Sequence, residues 1–194
     1  MNYGELRAHF LDVLNRTDCT LAQANTFISM GLRRTERLLR TPIQKTVLEL
    51  TVDDTWNGFL MIPSDYIGFY SISVNGVPVP RIVPSQLGMM NGFIVEHARF
   101  TFQPDLKPGD ELKLIYYNEF TQAPPDDSIV DYSLVLPDLI TYAALVFACD
   151  TFVDERKATF EGTLTALVQE VQTMSDQEEM SGGGAITPYG GGII

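Results

Sequence analysis

The sequence has little from which to build reactive chemistry. Its 194 residues hold two cysteines, two histidines and one tryptophan. Cys19 and Cys149 both sit in apolar surroundings. Two cysteines cannot frame a disulfide scaffold, and these read as small buried hydrophobes in a reducing compartment. His9 lies beside a helical apolar stripe and His97 in a hairpin turn, neither with a Cys, His or carboxylate at metal-ligand spacing. No serine or cysteine stands in a nucleophile elbow that a histidine could serve. Asp126, Asp127 and Asp131 lack the alternating ligands and turn glycine of a calcium loop and read as solvated acids. Asp150, Asp154 and Glu155 read as caps and first-turn acids of a following helix. Gly182–Gly184 has no preceding strand and no following Lys-Ser/Thr, so it is not a phosphate cradle. The expectation is a chain with no catalytic residues, no cofactor and no metal.

Positive charge is scarce too. Thirteen Lys and Arg stand against 25 Asp and Glu, a formal net charge of −12. A grip on nucleic acid needs a surplus of cations to displace counterions, so tight binding is not expected. A surface that DNA slides past remains compatible with this charge. Long apolar runs are missing as well. Leu139–Cys149 is flanked by Asp138 and Asp150 and is too short to cross a bilayer. The opening residues show no basic region followed by an apolar stretch, so synthesis in the cytosol and no membrane association are expected.

What is present is a hydrophobic content of 45% against 20% charged residues, a globular composition with enough chain for a real core. Leu6, Phe10, Val13 and Leu14 recur at helical spacing within Tyr3–Asn15. A second helix is predicted over Leu21–Arg40, capped by Thr20, with Leu21, Ala24, Ile28, Leu32, Thr35 and Leu39 as its stripe. Thr41-Pro42 stops it. The period then changes to two. Strands are predicted over Val47–Val52, Phe59–Ile62, Phe69–Val74, Val77–Val83, Phe93–Glu96, Arg99–Gln103 and Glu111–Glu119, with a tight turn at Asn75-Gly76. Ala123–Asp127, with two prolines, is a stiff exit. A third long helix begins near Pro137 and a fourth runs from about Asp154 to Met180.

These elements predict an α+β protein: a four-helix bundle, two helices before and two after, with an inserted small antiparallel β sandwich or barrel-like module. The boundaries are 1–42 for the first half of the bundle, 43–129 for the inserted β-domain, 130–180 for the second half and 181–194 for an extended Gly-rich arm. The helix after Pro137 is apolar around nearly its whole circumference, which places it at the centre of a bundle or under a second subunit.

Three features suggest binding. Ser181–Ile194 (SGGGAITPYGGGII) has too few side chains to fold alone. It reads either as a strap laid on a neighbouring protein, through Ile186, Pro188, Tyr189, Ile193 and Ile194, or as a solvated terminus. Arg33, Arg34, Arg37 and Arg40 crowd the end of the second helix, where cations suit the helix dipole. They form either a solvated face or a subunit contact, together with Tyr142 and Phe147. The acids Glu170, Asp176, Glu178 and Glu179 near the end of the last helix would complement them on a neighbour. Trp56, Tyr66, Tyr70, Tyr116 and Tyr117 could serve a sugar platform, though strand aromatics are more often core.

The order of parts resembles the adaptor, or head-to-tail connector, proteins of tailed bacteriophages, the tail tubular protein A group. Three stretches carry the resemblance: Tyr3–Leu6 followed by the helix ending RTERLLR; Leu60-Met61-Ile62-Pro63-Ser64-Asp65-Tyr66-Ile67; and Leu136–Leu145 followed by Asp154-Glu155-Arg156. The resemblance implies a structural, non-enzymatic virion subunit in a homo-oligomeric ring, typically twelvefold, beneath the portal protein. Helical bundles would line a channel through which DNA passes without specific binding. The β-module would face outward or tailward, towards a nozzle or tube protein, fibres or spikes, and the C-terminal extension would lie on the portal. The residues alone leave open a second reading, a soluble module that recognises carbohydrate or peptide through its β-domain.

Overall fold

Polar residues begin the first two helices. Asn2 Oδ1 accepts the Glu5 N–H while Glu5 Oε2 accepts the Asn2 N–H, both at 2.8 Å. This reciprocal cap satisfies two donors that a helix start leaves without partners. From it runs α1 (Tyr3–Leu14), ended by Asn15 in the left-handed region at φ 51°. Thr20 and Gln23 repeat the device for α2 (Leu21–Leu38). The helix ends two residues before the expected Arg40, because Leu39 is already extended (φ −128°, ψ 154°). The Arg40 guanidinium then folds back to donate to the carbonyls of Glu36 and Leu39. The computed structural model describes residues 1–181. The arm residues Ile186, Pro188, Tyr189, Ile193 and Ile194 lie outside that range.

The middle of the chain forms seven strands: β1 (Lys45–Thr51), β2 (Phe59–Met61), β3 (Tyr66–Val74), β4 (Val77–Pro78), β5 (Gly92–Glu96), β6 (Arg99–Gln103) and β7 (Glu111–Asn118). They make a four-stranded sheet, β1-β7-β3-β4, and a three-stranded one, β2-β6-β5, with every pairing antiparallel. Asn75 and Gly76 take positive φ (52° and 75°), as their turn requires, and His97-Ala98 does the same between β5 and β6 (49° and 58°). Asn75 also ties its turn to the start of β7, donating to Asp110 Oδ1 and accepting the Glu111 N–H, both at 2.8 Å. The strand expected over Val77–Val83 stops at Pro78. Pro78 and Pro80 have no N–H to give a ladder, and the chain continues through one parallel bridge from Arg81 to Phe93.

Three helices follow: α3 (Asp131–Val135), α4 (Pro137–Phe152) and α5 (Lys157–Ser181). The five-residue α3 is not visible as a periodic pattern, being shorter than two turns. Pro137 does open α4. Asp150 belongs to the last turn of α4, not to a cap of α5, and pairs with Lys157 at 2.7 Å. Among the described residues no helix is long and apolar enough to cross a membrane.

Two apolar cores result. One joins Tyr3, Leu6 and Phe10 of α1, Phe27, Ile28 and Leu32 of α2, most of α4, and Phe160 and Leu164 of α5. The other joins Ile72, Leu112, Leu114 and Tyr116 of the larger sheet with Phe93, Phe100 and Phe102 of the smaller. The two sheets therefore bury one another's inner faces. In the helical core α4 touches α1, α2, α3 and α5. Leu139, Ile140, Ala143, Ala144, Leu145, Val146, Ala148 and Cys149 are all buried, and Tyr142, Phe147 and Phe152 are half-buried, so most of its apolar girth is covered within the chain.

The tightest approach is between α2 and α4. A Cβ on Gly31 would stand 2.8 Å from the Ala144 amide nitrogen and 3.2 Å from the Ile140 carbonyl oxygen. Neither backbone atom can step aside without moving a helix. Gly31→Ala is expected to cost about 1–3 kcal/mol despite alanine's better helix propensity, or roughly 2–4 °C per kcal/mol for a chain of this size. Gly162 is the control: a Cβ there meets nothing within 4 Å. Gly162→Ala should raise stability by about 0.5–1 kcal/mol. Thermal melting of both variants checks the pair; equal shifts would show that the α2–α4 approach is looser than described.

Candidate functional site

The residues that could have carried chemistry are dispersed. His9 Nε2 lies 4.0 Å from Asp138 Oδ1, and His97 sits exposed in its turn. Asp126 is engaged by Arg7, and Asp131 begins α3. Among the described residues no three His, Cys, Asp or Glu come together to hold a metal ion. Cys149 is buried and Cys19 half-buried, and burial raises both thiols above their ordinary value.

The aromatic set does not share a face. Tyr66 stacks on Tyr116 at 5.8 Å and meets Phe100 edge-on at 5.9 Å, inside the sheet core. Tyr116 is buried and donates to Asp65 Oδ1 at 3.0 Å; desolvation first, then that carboxylate, push its hydroxyl up to about 12. Trp56 packs against the same core through Phe102. Tyr70 lies on the other face, beneath the Lys45 ammonium at 3.8 Å.

The better-built sites are the two places where the chain passes between helices and sheets. At the first, Glu36 is buried in α2 and its Oε1 accepts the Phe120 N–H at 2.6 Å. Burial pushes its carboxyl above the ordinary value, and Glu119 adds to this, while the Phe120 N–H, Arg33 and Arg40 oppose it. Thr41 and Gln44 close a second polar knot, with Gln44 Oε1 accepting from both the Thr41 amide and hydroxyl at 3.1 Å. Gly68 of β3 leaves room for the Arg40 side chain, whose Nε would stand 3.3 Å from a Cβ there.

At the second crossing the start of α1 finds its partners. Tyr3 and Gly4 donate their N–H groups to the carbonyls of Ser128 and Asp126 at 2.9 Å, and Arg7 forks onto the Asp126 carboxylate. The Tyr132 hydroxyl donates to the Thr121 carbonyl and the Ser133 hydroxyl to the Met1 carbonyl, both at 2.8 Å. At the opposite end, Arg156 donates to the Leu14 carbonyl at 2.7 Å and pairs with Asp154 at 2.7 Å. That guanidinium holds the Asp154 carboxyl down at about 2.

The expected interface residues divide in the same way. Arg40 is spent on its own helix end. Arg34 lies over the Phe147 ring at 5.8 Å, and Tyr142 meets Phe160 edge-on at 5.9 Å, so these serve packing within the chain. Arg33 and Arg37 are exposed, and among the described residues neither makes an ion pair. Glu170 and Asp176 of α5 are exposed, while the side chains of Glu178 and Glu179 are outside those described. Sequence reading missed Glu36 and Arg156. The only signal was a glutamate set among apolar positions near the end of α2, next to arginines that offered a simpler account of it.

A family model described as SU10 adaptor protein matches residues 1–188. No curated protein matches the chain. With nearly its whole length covered, the chain belongs to the SU10 adaptor protein family, a family of phage head-to-tail adaptors. It is thus a phage structural adaptor, of a kind that is generally non-enzymatic and that associates with portal and tail components.

Glu36 makes the first crossing testable. Its raised folded-state value means that ionisation costs the folded state, a cost that grows as pH rises through the ordinary carboxylate value and is complete above the folded one. Glu36→Gln keeps an acceptor for Phe120 and removes that cost. Its melting temperature should equal or exceed the parent's near neutral pH and converge with it in acid. Glu36→Ala orphans the buried Phe120 N–H and should lose about 1–3 kcal/mol. Melting curves across pH check both, and a Gln variant that falls further behind the parent as pH rises would contradict the assignment.

Proposed function

We propose that this chain is one protomer of a closed ring, of twelve copies, that joins the portal of a phage capsid to the tail and encloses part of the channel through which DNA is ejected. Membership of a head-to-tail adaptor family is the observation that carries the reading. In it α1, α2, α4 and α5 act as a bundle that lines the channel. The two sheets form the inserted sandwich-like module, turned outward or tailward to meet the nozzle or tube protein and any fibres or spikes. A net charge of −12 suits a passage that must not trap phosphates. The firm anchoring of both crossings supports a part that transmits load between its two halves.

The segment from Ser181 to Ile194 is assigned to the portal. Its glycines would let it follow a partner's surface, and Ile186, Pro188, Tyr189, Ile193 and Ile194 would supply the apolar contacts. One such arm binds weakly, but a ring of them adds avidity.

Imaging of the chain mixed with its portal tests the ring directly. Closed rings seated on portal assemblies are expected, and a chain that stays solitary beside portals would end the proposal. Removing Ser181–Ile194 should leave the melting temperature of the remainder unchanged and weaken portal attachment by about tenfold or more. Retention of full attachment, measured by co-sedimentation with portal, would remove the arm from the interface.

A further inference from the structure

Two surfaces of this chain are built and uncovered, and they carry opposite charge. The first is the outer side of α2. Ala24, Ile28, Gly31 and Thr35 turn inward, where Gly31 backs onto Ala144 of α4. Met30, Arg33 and Arg37 fall on the opposite side by helical spacing, and all three are exposed. The second surface is the segment around α3, where Ile129, Leu134 and Val135 are 68%, 55% and 60% exposed. It is no loose loop: Tyr132 is buried with its hydroxyl on the Thr121 carbonyl, and Ser133 is buried on the Met1 carbonyl. Three aliphatic side chains are therefore held outward on a pinned backbone, beside the exposed acids Asp127 and Asp131.

Within one copy the two surfaces do not pair. Glu36 of α2 ties to Phe120, whose ring meets Tyr132 of α3 at 5.2 Å, yet among the described residues neither Arg33 nor Arg37 makes an ion pair with Asp127 or Asp131. Between copies they match, with Met30 on one side and three aliphatic side chains on the other, cations on the first and carboxylates on the second. Because the two patches differ, the contact is head-to-tail and can repeat around an axis.

We infer that the ring closes through this pair: Met30, Arg33 and Arg37 of one copy pack on the Ile129–Leu134–Val135 patch of the next, with the arginines facing Asp127 and Asp131. The inference rests on the ring reading above and names its interface. Arg34 and Arg40, engaged inside their own chain, are not part of it.

Cysteine trapping in assembled particles tests it. Particles carrying Arg37→Cys together with Leu134→Cys, mildly oxidised, should give a ladder of crosslinked multimers on a non-reducing gel. Either substitution alone should give none. Rings that image normally but yield no ladder, or a ladder from a single substitution, overturn this interface and leave the ring intact. Absence of rings from the parent chain overturns the ring reading and this inference with it. Charge reversal gives a second arm that does not depend on the cysteines. Arg33→Glu with Arg37→Glu should lower incorporation into particles by about tenfold. Adding Asp127→Lys and Asp131→Lys to the same chain should restore it. Undiminished incorporation of the first variant, or no restoration by the second, overturns the pairing.

Discussion

Burial of α4 from every side is the constraint on which the rest depends. A helix with so little polar surface can stay in water only if other segments cover it. The covering comes from α1 and α2, made long before it in the chain, and from α5, made after. The helical core therefore joins segments that the whole β-module separates in the chain. The close fit at Gly31 shows how completely the space is used. The side chains of Tyr142, Phe147 and Phe152 stay half-buried at the rim of that core.

Closing a core from distant segments leaves helix ends and chain crossings to be stabilised separately. A common solution recurs: backbone groups that lack a partner in their own element are satisfied by residues far along the chain. Asp126 and Ser128 receive the first amides of α1, Arg156 covers its last carbonyls, and Glu36 takes the amide of Phe120. Each contact fixes one segment against another, and losing the Glu36 acceptor would cost more than that bond's net worth, because the Phe120 N–H stays buried.

Much of the fold was legible in the sequence. The cap at Thr20, the turn at Asn75-Gly76 and Pro137 at a helix start are local signals, and local interactions realise them. The reciprocal cap at Asn2 is equally local but was not read from the sequence. The differences arose where distant contacts decide. The ladder beyond Pro78 depends on which neighbour can still accept pairing, and α3 is held by Tyr132 and Ser133 rather than by periodicity. The candidate interface was only half legible. Four arginines in one run look equivalent as letters, yet Arg34 and Arg40 are drawn into their own chain, and only the fold separates them from Arg33 and Arg37. The apolar side of α3 went unnoticed because three aliphatic residues near a proline-rich exit show no pattern until the backbone that pins them is known.

One pairing in the larger sheet has a consequence for how such a protein changes over time. The first strand after the helices and the last before their return are direct partners, with Lys45 opposite Tyr117. The two ends of the intervening stretch therefore stand about 5 Å apart. A unit whose ends are that close can be exchanged, enlarged or replaced by a short turn without disturbing what lies on either side. Descendants could thus acquire a new appendage by recombination at these two points, while the helices keep their shape and their place in the particle.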